Sequence, residues 1–156
     1  MLELKGIFQV EQIRDGEIIE NFTVENGIVD VGLNSILGVE FHADTQITTW
    51  YIGLVDNSGT PTFNNADTLA SHPGWAEATG YAGTRPQWTA NAAASRSITN
   101  NATVDFAINA PAVIKGLFIC SVTSTNVGTL WSTAAFGATI TVANGDVIKI
   151  TYTVSG

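Results

Sequence analysis

The chain has 156 residues, the size of one compact domain, and 45% of them are hydrophobic, which excludes a disordered tail. Charged residues make up only 13%, about half of the usual share of roughly 25%. Threonine occurs 20 times and lysine three times, a balance that favours strands and excludes a helical bundle. We therefore predict one domain over residues 1–156 with an all-β fold.

Negative charge is concentrated in the N-terminal third. Residues 1–56 hold ten acidic and two basic residues, which accounts for the whole formal net charge of −8. The remaining residues balance four acidic against four basic ones, and no lysine or arginine lies between Arg14 and Arg85. A nucleic-acid-binding protein needs a basic stripe that neutralises phosphates. The charge pattern therefore predicts no nucleic-acid partner.

The first predicted elements are two short strands that form an acidic N-terminal hairpin over residues 1–29. One face of the first strand carries alternating apolar side chains, namely Leu2, Leu4, Phe8 and Val10. The dipeptide Asp15-Gly16 predicts the turn of a hairpin, and Asn26-Gly27 predicts a second turn after the return strand. These turn signals divide the acidic segment into two strands.

The middle of the chain mixes helical and extended signals. Residues 30–38 place Val31, Leu33, Ile36 and Leu37 at mixed spacing, and we predict a short helix there. Residues 45–56 predict a strand, and the sequence Asp67-Thr68-Leu69 predicts one capped helical turn.

Short strands dominate the second half. They are predicted at residues 75–81, 86–89, 104–108, 112–124 and 128–136. The run 112–124 is nearly all apolar, as expected of a central strand covered on both faces. Residues 139–142 and 147–154 flank Asn144-Gly145-Asp146 and predict a hairpin. About nine or ten strands indicate an antiparallel β-sandwich or jelly roll with one or two short helical turns.

The sequence carries no motif that requires catalysis. It contains no G-x-S-x-G, and His42 and His72 lie in different segments without metal-ligand spacing. We therefore predict no enzyme, no cofactor and no metal. Cys120 is the only cysteine, which excludes an intrachain disulfide, and its apolar surroundings predict a buried thiol. His72 precedes Pro73, so we expect it to bond backbone in a turn.

The aromatic residues between positions 75 and 88 allow two interpretations. Trp75, Tyr81 and Trp88 fall within a segment that also carries Glu77 and Arg85. In the first interpretation they form a sugar-stacking platform of the kind found in carbohydrate-binding modules. In the second they close the edge of the sandwich, and Arg85 pairs with Glu77 or stacks on a ring. Packing is the commoner fate of tryptophan in a small domain.

Several segments of the chain resemble small structural proteins of tailed bacteriophages. They are residues 49–57 (TWYIGLVDN), 66–77 (ADTLASHPGWAE), Tyr81 with 85–88 (RPQW), 128–136 (GTLWSTAAF), and 144–146 (NGD) with 152–154 (YTV). The resemblance extends from about Gly6 to Val154. It implies a virion structural protein without catalytic residues, and capsid decoration (cement) is the role expected.

The resemblance also implies a partner and a location. The expected partner is the major capsid protein, and the expected location is the capsid surface of a virion made in the bacterial cytoplasm. A tail or baseplate component and a carbohydrate-binding module for host attachment are the alternatives. The alternating pattern of the first ten residues predicts no signal peptide, and no apolar run of 18 residues predicts a membrane span.

Two regions supply candidate interface residues. They are the acidic hairpin and the aromatic segment, with Glu3, Glu11, Glu17, Glu20, Trp75, Arg85 and Trp88 as the residues concerned. If the acidic hairpin meets a basic patch on the capsid protein, attachment should weaken as salt is added. The unpaired strand edges of an open sandwich also leave a homo-oligomer open.

Overall fold

A computed structural model describes residues 3–156, so Leu2 of the first predicted strand lies outside the described residues. Ten strands and one helix occur in the described part of the chain. Their bounds are β1 (Lys5–Arg14), β2 (Glu17–Glu25), β3 (Gly27–Ile28), α1 (Asp30–Phe41), β4 (Trp50–Asp56), β5 (Gln87–Trp88), β6 (Ser97–Thr99), β7 (Val104–Ala107), β8 (Ala112–Cys120), β9 (Leu130–Val142) and β10 (Val147–Ser155).

The strands form two antiparallel sheets of five strands each. In the first sheet the order is β2-β1-β10, and both β6 and β7 pair with the far side of β10. In the second sheet the order is β3-β9-β8-β4-β5. The prediction of a mostly β protein with antiparallel sheets is confirmed, and α1 is the one regular helix among residues 3–156.

A main core fills the space between the two sheets. The first sheet contributes Phe8, Val10, Ile148, Ile150 and Tyr152, and the second contributes Ile52, Leu54, Leu117, Ile119 and Phe136. The alternation predicted for the first strand therefore does mark its buried face. Because the first sheet buries only one of its faces, a slip of one residue in the register of β1 or β10 would expose the side chains that it contributes.

A second cluster, the outer cluster, covers the other face of the second sheet. Its buried members are Val29, Val55, Leu69, Trp75, Phe118, Cys120 and Leu130. Strand β8 thus contributes Leu117 to the main core and Phe118 to the outer cluster, which confirms the prediction of a central strand covered on both faces. The predicted burial of the Cys120 thiol is also confirmed.

The Asp15-Gly16 turn is confirmed as the link between β1 and β2. Both residues have positive φ, 51° and 82°, as a two-residue hairpin turn of this twist requires. Glycine adopts such angles without steric penalty, and aspartate tolerates them better than most residues.

The hairpin predicted around Asn144-Gly145-Asp146 is wrong. Strand β9 belongs to the second sheet and β10 to the first, so this turn carries the chain from one sheet to the other. The segments predicted separately at 128–136 and 139–142 are parts of the single strand β9. Alternating apolar residues on either side of a turn signal show that two strands follow each other in the sequence. Which strands they pair with depends on packing across the whole domain.

Two further turn predictions are corrected in the same way. At Asn26-Gly27 the chain crosses from the first sheet to the second. The backbone N–H of Asn26 donates to the Gly6 carbonyl at 3.0 Å, and Gly27 pairs with Thr133 of β9. The helical turn predicted at residues 67–69 is instead a tight turn, closed by backbone hydrogen bonds between Thr68 and Ser71.

Several predicted boundaries also move. The helix continues to Phe41 instead of ending at residue 38, and β4 begins at Trp50 instead of residue 45. Residues 75–81 form no continuous strand and make isolated bridges at Glu77 and Tyr81 only. Polar residues dominate the chain between α1 and β4. Alternation of apolar and polar residues therefore does not locate the first residue of the strand there.

Candidate functional site

Trp75, one of the candidate ligand-binding residues, lies in the outer cluster with 5% of its surface exposed. Its ring packs on Phe118, with 4.9 Å between centroids, and the His72 ring stacks on it at 3.8 Å. The indole N–H donates to Asp67 Oδ2 at 3.0 Å. His72 Nδ1 lies 3.0 Å from the Trp75 carbonyl oxygen, in agreement with the predicted backbone contact. This indole is therefore used in packing and in a buried hydrogen bond, with 5% of its surface exposed.

Arg85, the second candidate in this segment, is also buried. Its Nε and Nη2 donate to the two carboxylate oxygens of Glu77 at 2.8 and 2.6 Å, and its guanidinium carbon lies 5.2 Å from the centre of the Phe118 ring. Its Nη1 donates to the carbonyls of Val122 and Thr125 at 3.2 and 2.9 Å. The pairing with Glu77 and the contact with a ring, predicted as alternatives, therefore both occur.

The charges around Arg85 influence each other. Burial by itself lowers the pKa of Arg85, but hydrogen bonding to Glu77, together with the electrostatic influence of Cys120, Glu77 and Tyr81, outweighs burial and raises the pKa. Burial and the neighbouring Glu77 charge also raise the pKa of Tyr81, whose hydroxyl donates to Glu77 at 3.3 Å. The arginine stays charged and the tyrosine stays neutral, which suits a structural cluster that attaches residues 121–129 to the second sheet.

Trp88 faces the opposite side of the second sheet from Trp75. Together with Trp50, Trp131 and Tyr152 it lines an apolar cavity of about 230 Å³ between the sheets. The Trp88 indole N–H donates to Asn100 Oδ1 at 2.6 Å, and that of Trp131 donates to the Tyr152 hydroxyl at 2.9 Å. Two of the three indole N–H groups around this cavity are therefore already used in hydrogen bonds within the domain.

The four acidic candidates are spread over the first sheet. Glu3 and Glu17 lie beyond opposite ends of β1, and both are exposed, as is Glu20 in β2. Glu11 is partly buried and lies beside Lys149 of β10. The structure therefore does not gather these carboxylates with Trp75, Arg85 and Trp88 into one site.

Exposed apolar side chains form the feature that sequence patterns did not identify. Eight large hydrophobic residues are exposed in the described part of the chain, namely Ile7, Ile18, Ile19, Leu33, Leu37, Phe41, Val113 and Val127. Six of these eight lie between residues 7 and 41, within the segment that carries the net charge. The only signal in the sequence was the spacing of Leu33, Leu37 and Phe41, four residues apart along a helix.

Other kinds of site have requirements that the described residues do not meet. Among residues 3–156, no three histidine, cysteine, aspartate or glutamate side chains are grouped to hold a metal ion. No helix in that range has the length and apolar character needed to cross a membrane. No protein-family model matches the chain, and no curated protein matches it either. The candidate functional site is the surface of residues 7–41, which carries six of the eight exposed large hydrophobic side chains.

Proposed function

We propose that this chain is a non-enzymatic structural protein of a tailed-bacteriophage virion, which decorates the head by binding the outside of the capsid lattice and stabilising it. One observation carries the proposal. Six of the eight exposed large hydrophobic residues and ten of the 14 acidic residues fall within residues 1–56. Exposed apolar side chains within a charged segment are typical of protein–protein contact sites.

The scaffold is suited to a role in a shell. We include in the proposal a jelly-roll-like connectivity, supported by four crossings of the chain between the sheets, at β2–β3, β5–β6, β7–β8 and β9–β10. A decoration protein holds neighbouring subunits through several contacts, each of the standard size of about 1,200–2,000 Å² in total. Simultaneous contacts strengthen attachment through avidity, provided that the scaffold keeps them in a constant geometry.

The charge of the N-terminal third favours a basic partner surface. We infer that the partner is the major capsid protein, and that exposed carboxylates on and beside α1, such as Asp30, Glu40 and Asp44, face its lysines and arginines. Trp75 and Arg85 are buried in the single chain, so they contribute to the contact only through the surface that they support. Attachment of this kind weakens with added salt because exposed charges are screened.

Cryo-EM reconstruction of purified virions tests the proposal. We expect density for this chain to repeat over the icosahedral shell, with the N-terminal third towards the capsid protein. Density confined to the tail would overturn head decoration in favour of the tail or baseplate alternative, and a screen for glycan binding would follow. Absence of the chain from the particle would overturn the virion role altogether.

A further inference from the structure

Helix α1 carries a row of exposed apolar side chains, which we call the helix stripe. It consists of Leu33, Leu37 and Phe41, which are 39%, 54% and 84% exposed. Residues four apart lie on one face of a helix, so the three side chains are neighbours along its length. Exposed leucine and phenylalanine at such spacing are unusual on a solvated helix and mark a contact surface.

The opposite face of the helix is held against the second sheet. Gly32 is buried so closely against the Trp131 carbonyl that a side chain at this position would collide with it. The amide of Val29 donates to the same carbonyl at 3.1 Å, and Ile36 packs on the main core. The helix cannot rotate to bury its stripe without breaking these contacts, so the stripe stays outside.

Negative charge surrounds the stripe. Asp30 and Glu40 are exposed in α1, and Asp44 follows its C-terminal end with more than half of its side chain exposed. The last turn holds no basic residue, although the C-terminal end of a helix carries a partial negative charge. His42 contacts Asp44, with 3.0 Å between Nδ1 and Oδ1, and no lysine or arginine occurs in this part of the sequence.

We propose that the helix stripe docks into an apolar groove bordered by lysine and arginine side chains on the major capsid protein. This inference rests on the proposed function and names the surface that makes the contact. Charge complementarity selects the partner, because cations beside Glu40 and Asp44 would compensate both carboxylates and the helix end. A second copy of this chain fits less well, because two apposed stripes would bring the carboxylates of both copies together.

The acidic hairpin provides a matched control surface at the other end of the first sheet. Ile36 of α1 lines the aromatic cavity beside Leu4 and Val154, near the start of β1 and the end of β10. Ile18 and Ile19 follow the hairpin turn after β1 and are 54% and 43% exposed. The ten residues of β1 separate the two regions by about 30 Å.

The test measures binding of purified protein to capsid shells assembled without this chain. The stripe variant carries Leu33→Gln, Leu37→Gln and Phe41→Gln, and the control variant carries Ile18→Gln and Ile19→Gln. Glutamine has nearly the helix propensity of leucine, and circular dichroism with thermal unfolding checks that both variants fold. We expect the stripe variant to bind about tenfold or more weakly, and the control variant to bind like the unmodified protein.

A second pair of variants tests the charge. Glu40→Gln should reduce the salt dependence of binding, whereas Glu20→Gln on the hairpin should leave it unchanged. If the unmodified protein binds shells and the stripe variant binds equally well, the stripe is not the contact and only this inference is overturned. If the unmodified protein does not bind shells, the proposed function is overturned and this inference with it. A dimer in solution that the stripe variant abolishes would overturn the capsid groove in favour of a second copy.

Discussion

Two arginine–carboxylate pairs hold this molecule together, and they are buried in opposite ways. In the pair Arg85–Glu77 the cation is inside, with side-chain exposures of 3% and 25%. In the pair Arg14–Asp146 the anion is inside, with exposures of 41% and 2%. Both are two-point contacts, since Arg14 Nε and Nη2 each donate to an Asp146 oxygen at 2.8 Å. Both pairs join a guanidinium to a carboxylate, and they differ in the charge of the buried partner, which is positive in one pair and negative in the other.

Each buried charge is satisfied by the segment that it holds. Arg85 donates to carbonyls of residues 121–129 and so fixes that loop. Asp146 accepts from the Gln12 side chain at 2.8 Å and from the Ala143 amide at 2.9 Å, which fixes the crossing between β9 and β10. A buried carboxylate can be neutralised by a proton, whereas a guanidinium stays charged at every pH a protein tolerates. The two pairs should therefore respond differently to mutation and to acid.

The largest effect is expected for Glu77→Gln, which leaves Arg85 buried and charged beside a neutral amide. Loss of one partner of a buried pair costs about 3–5 kcal/mol of unfolding free energy. Urea unfolding followed by tryptophan fluorescence measures this change. Glu20→Gln on the exposed face of β2 is the control and should change the unfolding free energy by less than about 0.5 kcal/mol. Similar unfolding free energies for Glu77→Gln and Glu20→Gln would show that the folded protein tolerates the buried Arg85 guanidinium without the Glu77 carboxylate.

Arg14→Met should have a smaller effect, of about 2 kcal/mol. Arg14 is substantially exposed, and Asp146 keeps its hydrogen bonds from Gln12 and Ala143 after the change. The unfolding free energy of Arg14→Lys should lie between those of the unmodified protein and Arg14→Met, because an ammonium group keeps the charge but cannot reproduce the two-point contact. The same urea experiment measures both variants, and a loss for Arg14→Met as large as that for Glu77→Gln would remove the distinction between the pairs.

The dependence of stability on pH gives the next effect. Hydrogen bonding from Arg14, with further bonds from Ala143 and Gln12, holds the pKa of Asp146 well below its ordinary value of 3.8 in spite of burial. Because the folded pKa is the lower one, this contribution to stability is complete above the unfolded pKa and is lost as pH falls through the folded value. The difference in Tm between the unmodified protein and Arg14→Met should be constant from neutral pH to about 5 and shrink below about 4. A difference that widens in acid would contradict this assignment.

The smallest effect is expected at the exposed pair Lys149–Asp105, whose side chains are 32% and 45% exposed with 2.6 Å between Nζ and Oδ2. Lys149→Met should cost less than about 1 kcal/mol of unfolding free energy, because exposed pairs gain little over solvation. Unfolding at low and high salt measures it. This exposed pair is the reference for the two pairs with a buried partner. If Lys149→Met lowered the unfolding free energy as much as Arg14→Met, burial of Asp146 would add nothing to the strength of its pair.

The same two pairs show which ion pairs can be predicted from the sequence. Arg85 and Glu77 are eight residues apart in one segment, and their pairing was among the predicted alternatives. Arg14 and Asp146 are 132 residues apart, and nothing in the local pattern links them. A short separation limits the possible partners of a charge to a few residues. A long separation leaves the choice to the packing of the whole domain.

The candidate functional surface shows the same limit. Sequence analysis identified the acidic N-terminal third but selected Glu3, Glu11, Glu17 and Glu20 within it, and these do not meet in one place. Leu33 and Leu37 were recognised as apolar positions of a short helix without a predicted orientation. Their exposure follows from Gly32, which presses the opposite face of the helix onto β9.

The sequence by itself determined the local properties of this protein. Alternation along β1 and β10, the turn at Asp15-Gly16 and the apolar run of β8 follow from backbone geometry, which repeats every two residues and needs only near neighbours. Only the tertiary structure decided which strands pair, which sheet receives β9 and β10, and which apolar side chains remain outside. Those choices depend on contacts between distant segments, because many pairings satisfy the same local pattern and only packing of the complete core distinguishes them.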